Sequence, residues 1–478
     1  MPPLFFFQHL VVSLTKQNFY GGYMSFGSLV FLVRFLPVSL LLYYICPKRF
    51  RNAFLAILSL LFYAWGDMIG LAVLLGTAVV GYAAALMITR STGLRRKIWL
   101  ASGLIMILGC LAVFKYTDLI LNTLSSAGLA VSPLGLVAPA GISFFSFTVA
   151  GYLIDVYKDD SDLCRSVPDY LLFVSFFPKL LMGPITRYSE MKDAIRDRSV
   201  TSEDLEQGSV RFVTGLTKKV ILADSIASLW NEVTAAGFAN VSCLLCWAGI
   251  LAFGLQLYYD FSGYSDMASG LARFFGFSLP ENFRTPYSSV SATEFWRRWH
   301  ITMGGWFRQY VYFPLGGSRC GKARNILNIL AVWALTGIWH GASWNFLLWG
   351  LFYFIVLVIE KQFILKFLED HRFLGHIYLV FITLIGWSLF AVTDLTQIPV
   401  FFSRLFGGTG GISALYFLRN YAVILVICIL LCTEQAASFW KKLTDHRGFR
   451  SAATLILLLL CLAYITDSTY RPFLYAQF

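Results

Sequence analysis

Charge is what this chain has least of. Only 13% of its 478 residues are Asp, Glu, Lys or Arg, against 58% hydrophobic and 17% aromatic. A soluble domain of this length needs far more polar surface than that. Strict polar/apolar alternation is missing too, so a lipid-embedded β-barrel is excluded. The nine cysteines are scattered, mostly in apolar runs such as those around Cys110, Cys428 and Cys461. They give no disulfide framework. Cys243 and Cys246 form a CxxC, but no second pair or nearby histidine completes a metal site, and no metal is expected. Residues 1–23 have neither a basic start nor a small-residue cleavage site, so no signal peptide is expected. No internal repeat stands out, which removes the usual support for an inverted-repeat transporter.

What is present is apolar sequence in long continuous runs. Candidate spans are 25–46, 53–66, 69–89, 98–114, 136–155, 169–183, 209–230, 243–260, 262–278, 325–339, 341–360, 375–393, 418–433 and 452–466. Spanning helices need about 20 apolar residues each, so these runs predict an all-α, polytopic integral membrane protein with about 11–14 membrane helices, some of them re-entrant. A clean helical run opens at Met24, so residues 1–23 are expected to be an extension and 24–478 a single transmembrane domain. The net charge of +12 comes from short basic loops between apolar runs rather than from a nucleic-acid-binding face. The segments 47–52, 90–97, 319–324 and 441–450 are expected on the cytoplasmic side by the positive-inside rule, where anionic membrane lipid also suits them.

Three stretches break the apolar pattern. In "FFPKLLMGPITRYSEM", Pro178, Gly183 and Pro184 interrupt a run, as happens where backbone lines a cavity. In "LYYDFSGYSDMASGLARFFGF", Asp260, Ser262, Tyr264 and Asp266 lie in apolar sequence. Carboxylates at that depth tend to be paired or functional, and this cluster either hydrogen-bonds a re-entrant turn or contacts substrate. In the third stretch Ser291 and Glu294 fit a capping box, and a helix starting near Ala292 carries Trp296, Arg297, Arg298, Trp299 and His300. That helix is either an amphipathic element at the membrane surface or the mouth of a site where Arg297, Arg298 and Arg308 meet the phosphates of an anionic ligand.

His340 lies in "GIWHGASWNFLLWG". Helical spacing places Trp333, Thr336, Gly337, Ser343, Trp344 and Leu347 on its face, an open polar stripe that fits a tunnel. An imidazole there is either a satisfied structural group or a base for a hydroxyl, since it titrates near neutrality.

Taken together, these motifs resemble the membrane-bound O-acyltransferase family, closest to its bacterial alginate O-acetylase branch and related to the D-alanyl-lipoteichoic acid transferases. The resemblance runs from about Met24 to the C-terminal "RPFLYAQF". It implies helices around a central tunnel in the bacterial cytoplasmic membrane. It also implies acyl transfer from a cytosolic thioester such as acetyl-CoA, with no bound cofactor. The family's catalytic WHG histidine falls on His340 and its upstream histidine on His300, with Trp339 and Trp344 flanking the motif. The implied outcome is O-acetylation of an extracytoplasmic polysaccharide, such as alginate in exopolysaccharide biosynthesis, with an SGNH-type acetyltransferase or esterase as partner. Peptidoglycan or teichoic-acid and lipid O-acylation, or transport without chemistry, are the alternatives. Thr148 and Met182 depart from the branch, where Gln or Glu and Ala are frequent, which puts the tunnel lining in doubt but not the chemistry.

Overall fold

A computed structural model describes residues 24–407, 410–467 and Phe473. The expected extension, 1–23, lies outside the described residues. The described chain is mostly helical, with one isolated β-bridge, Val241 to Ile412. Among the described residues, six helices are long and apolar enough to cross a membrane: Met68–Thr89, Gly93–Ser126, Cys243–Phe274, Arg372–Ala391, Ala414–Leu431 and Arg447–Asp467. The protein is therefore an all-α, multi-pass membrane protein. Fewer helices reach full spanning length than the apolar runs predicted. Several runs are shorter helices, for example Arg51–Ala64 and Trp344–Ile359. Short helices are tolerated at membrane depth where protein covers their ends.

The chain forms two compact units. One comprises residues up to Thr217, Tyr264–Pro280 and the segment from Ala453; the other comprises Lys218–Gly263 and Glu281–Ala452. In the first unit, Met68–Thr89, Gly93–Ser126 and Ile142–Lys158 pack on one another. The Pro178 break is real there: helix Val167–Ser175 ends and a single turn, Phe177–Leu180, follows.

Two expected spans, 243–260 and 262–278, are one continuous helix, Cys243–Phe274. The polar cluster does not interrupt it because its carboxylates are neutralised by lysine and arginine. Asp260 pairs with Lys219 at 2.7 Å, and Asp266 with Arg211 at 3.2 Å.

In the second unit, Lys322–His340 and Trp344–Ile359 form a tight antiparallel pair. Gly337 and Gly350 let the backbones touch. A Cβ on Gly337 would lie 2.5 Å from the Phe346 carbonyl oxygen, and one on Gly350 would collide with that of Trp333. Small residues at such contacts drive helix association in lipid, where no hydrophobic effect separates helices from solvent. Gly337→Ala should cost about 1–3 kcal/mol by overpacking. A thermal melt of the purified protein in detergent checks this, and an unchanged midpoint would refute the close contact.

Candidate functional site

The second unit holds both histidines. His340 is the last residue of helix Lys322–His340, and the chain then runs extended through Gly341 before Ser343 opens the next helix. A side chain on Gly341 would collide with the Phe346 ring, so glycine lets that ring seat against the turn. Buried Asn345 clamps the turn by donating to the carbonyls of Leu389 and Phe390 at 3.1 and 3.0 Å.

This break corrects the helical face expected around His340. Ser343 and Trp344 do not continue the helix that carries His340, and Trp344 is 44% exposed. Gly337 is spent on helix packing rather than on an open stripe. His340 is buried among rings instead: Trp349 at 4.8 Å, Trp339 at 5.1 Å and Phe390 at 5.4 Å between centroids.

His300 also departs from the expected helix. Ala292–Arg298 is helical, capped by the Ser291 hydroxyl, which accepts from the Glu294 amide at 3.1 Å. Glu294 reaches back to the Val290 amide, one residue beyond the expected box. His300 then takes a left-handed conformation, φ 44°, before helix Ile301–Phe307. Non-glycine residues rarely adopt that region, and such strain clusters at functional sites.

Asn282 holds the bend. Its Oδ1 accepts from the Thr302 amide at 3.3 Å and hydroxyl at 2.9 Å, and lies 3.1 Å from His300 Nδ1. An amide oxygen can only accept, so the Nδ1 that faces it is assigned the proton and Nε2 the lone pair. Burial pushes the His300 pKa down to about 3, so the ring is neutral at physiological pH. Its ring lies 4.7 Å from Phe261 and 5.9 Å from Trp339. Trp339 thus touches both histidines and links them.

The other predicted residues divide. Trp296 and Trp299 belong to the aromatic cluster that includes Trp333, Trp349, Tyr353 and Trp387. Arg298 is committed to Glu294 at 2.6 Å and to Glu434. Arg297 and Arg308 are exposed, with the Arg308 guanidinium over the Phe313 ring at 5.2 Å. Asp260 and Ser262 are buried in the second unit, with Asp260 on Lys219. Tyr264 and Asp266 fall in the first unit, Tyr264 stacked on Phe26 at 4.9 Å.

Sequence reasoning missed Asn282 and Glu360. Glu360 is wholly buried where helix Trp344–Ile359 widens into a π-helical turn. Its carboxylate accepts from the amides of Ala292 and Thr293, both at 2.7 Å, and from the Thr293 hydroxyl at 2.6 Å. A carboxylate at a helix start satisfies orphan amides and complements the helix dipole. It holds the element that carries Trp296 and leads into His300. No local pattern announces it, because its partners lie 67 and 68 residues away. Glu360→Ala should destabilise by at least about 1.5–3 kcal/mol, the worth of one hydrogen bond to a charged group, with Glu360→Gln milder. Melting temperatures of the two variants in detergent check the order, and equal values would contradict it.

A helical membrane protein with two buried, ring-walled histidines joined through a tryptophan is what the geometry defines. Comparison with known proteins agrees. Residues 164–393 match the model of the MBOAT, membrane-bound O-acyltransferase family. The chain is 33% identical to a probable alginate O-acetylase of Pseudomonas putida over 95% of this chain and 100% of that protein. It is 40% identical to the Pseudomonas syringae protein of the same name over 71% of this chain and 66% of the relative. It is also 31% identical to a peptidoglycan O-acetyltransferase of Helicobacter pylori, over 88% and 84%. The chain belongs to the membrane-bound O-acyltransferase family and is an acyltransferase.

Proposed function

We propose that the chain O-acetylates an extracytoplasmic polysaccharide, using acetyl-CoA or another cytosolic acyl thioester as donor, with His340 as general base. The observation that carries this is the His340–Trp339–His300 arrangement inside a ring-lined interior. An acceptor hydroxyl gives its proton to His340 as its oxygen attacks the thioester carbonyl carbon. The C–S bond breaks and the thiol leaves with a proton. Neutral His300, with its Nε2 lone pair fixed by Asn282, supports the thioester or the transferred group.

Arg297 and Arg308, exposed and outside the ion pairs of Arg298, serve the donor phosphates; Arg298 sits between two carboxylates and serves them less. Asp260, Ser262, Tyr264, Asp266, Trp299 and Trp344 have weaker support as substrate contacts, since the two aspartates are already paired and Trp344 faces outward. An SGNH-type transferase or esterase outside the membrane is the partner in this reading, in the cytoplasmic membrane of a bacterium. The names of the Pseudomonas relatives favour alginate as acceptor. The Helicobacter relative favours peptidoglycan as second reading. Quantifying ester-linked acetate separately on exopolysaccharide and peptidoglycan, with and without the gene, distinguishes them. Loss from neither polymer would defeat both readings.

A further inference from the structure

Trp296, Trp349 and Tyr353 form one cluster beside His340. Their ring centroids are 4.8 Å apart for Trp296–Tyr353, 5.5 Å for Trp296–Trp349 and 5.4 Å for Trp349–Tyr353. Trp349 is the ring that lies 4.8 Å from His340. Each of the three carries one polar donor, an indole Nε1–H or a phenol O–H, and all three polar atoms are buried without a hydrogen-bond partner among the described residues. Trp349 and Tyr353 are wholly buried.

Buried Tyr and Trp donors ordinarily find an acceptor, because desolvating one without replacement is costly. The same cluster shows the ordinary case. The Trp387 indole donates to the Tyr287 hydroxyl at 3.0 Å, which donates to the Gly254 carbonyl at 2.8 Å. Packing alone does not require the Tyr353 hydroxyl, since phenylalanine fills nearly the space of tyrosine without one. The edge-to-face ring contacts they make are weak substitutes for an oxygen acceptor. Three orphan donors in one cluster, next to the proposed base, mark a place for oxygen.

We propose that Tyr353, with Trp349 and Trp296, donates hydrogen bonds to the carbonyl oxygen of the acyl group during transfer. The inference rests on His340 acting as base. As the acceptor oxygen bonds to the carbonyl carbon, the C=O π electrons move onto the carbonyl oxygen. The donors hold that charge without giving up a proton. The charge returns to re-form C=O as the C–S bond breaks. Preorganised donors of this kind act most strongly where water is excluded.

The test is Tyr353→Phe, with Trp296→Phe as a second variant and His340→Ala in parallel. All are assayed in inside-out membrane vesicles with radiolabelled acetyl-CoA and compared in thermal melts. Removing an orphan hydroxyl should leave the melting temperature of Tyr353→Phe unchanged or higher. Its kcat should fall about 10²-fold, the scale of one oxyanion donor, with KM for acetyl-CoA near normal. Trp296→Phe should fall in the same direction. A Tyr353→Phe variant with normal kcat would overturn the inference and leave the His340 reading standing if His340→Ala is inactive. A lowered melting temperature would show that the protein itself uses the hydroxyl, and would also overturn it. An active His340→Ala would remove the reading and the inference together.

Discussion

His340→Ala should lose about 10²–10⁴-fold in acyl transfer, the usual contribution of a positioned general base. The protein should still insert, because Asn345 and the Phe346 ring seated over Gly341 hold the turn after His340. Ester-linked acetate on the purified glycan is the readout, normalised to the amount of protein in the membrane. His300→Ala should lose less activity but more stability. Its ring is one of three groups gathered on Asn282 Oδ1, and it sits at a left-handed bend that this gathering holds in place. If His300→Ala proves the more damaging to transfer in a fully folded protein, the two roles are reversed.

The second large effect is structural. Lys219 is buried between Asp260 and Asp224, at 2.7 and 2.8 Å. Lys219→Met removes the cation facing the Asp260 carboxylate, which is 1% exposed, and should cost about 3–5 kcal/mol. Lys219→Met combined with Asp260→Leu should recover most of that loss, since apolar replacement of a whole buried pair is often neutral. The pair of variants also decides what Asp260 is for. A stable double variant with normal transfer makes the aspartate structural. A stable double variant without transfer makes it a substrate contact.

Much of this molecule is legible in the sequence because lipid imposes a simple rule. Apolar runs such as 69–89 become helices almost residue for residue, here Met68–Thr89. Pro178 breaks its run as proline must. His340 stands out because a polar ring in apolar sequence needs a reason, whereas His300, beside Arg297 and Arg298, is singled out by the family resemblance.

Partnerships across the chain are not legible. Asp260 and Asp266 look like helix breakers until Lys219 and Arg211 are seen beside them, 41 and 55 residues away. The stop at His340 turns on Phe346 folding back over Gly341, which periodicity extends straight through. Asn282 and Glu360 belong to ordinary-looking segments, and their importance lies wholly in the amides and ring they hold. Tyr353 hides in an apolar helix where any aromatic residue satisfies the pattern, and only the missing partner of its hydroxyl sets it apart.

The most direct measurement follows the acyl group itself. Inside-out vesicles carrying the protein, its extracytoplasmic partner and the glycan acceptor are supplied with acetyl-labelled coenzyme A on their outer face. Acyl transfer predicts label recovered as alkali-labile ester on the enclosed glycan, lost with His340→Ala and unaffected by free labelled acetate. Ester formation at the normal rate with His340→Ala, or label entering the vesicles without any ester, would contradict catalysis at this histidine.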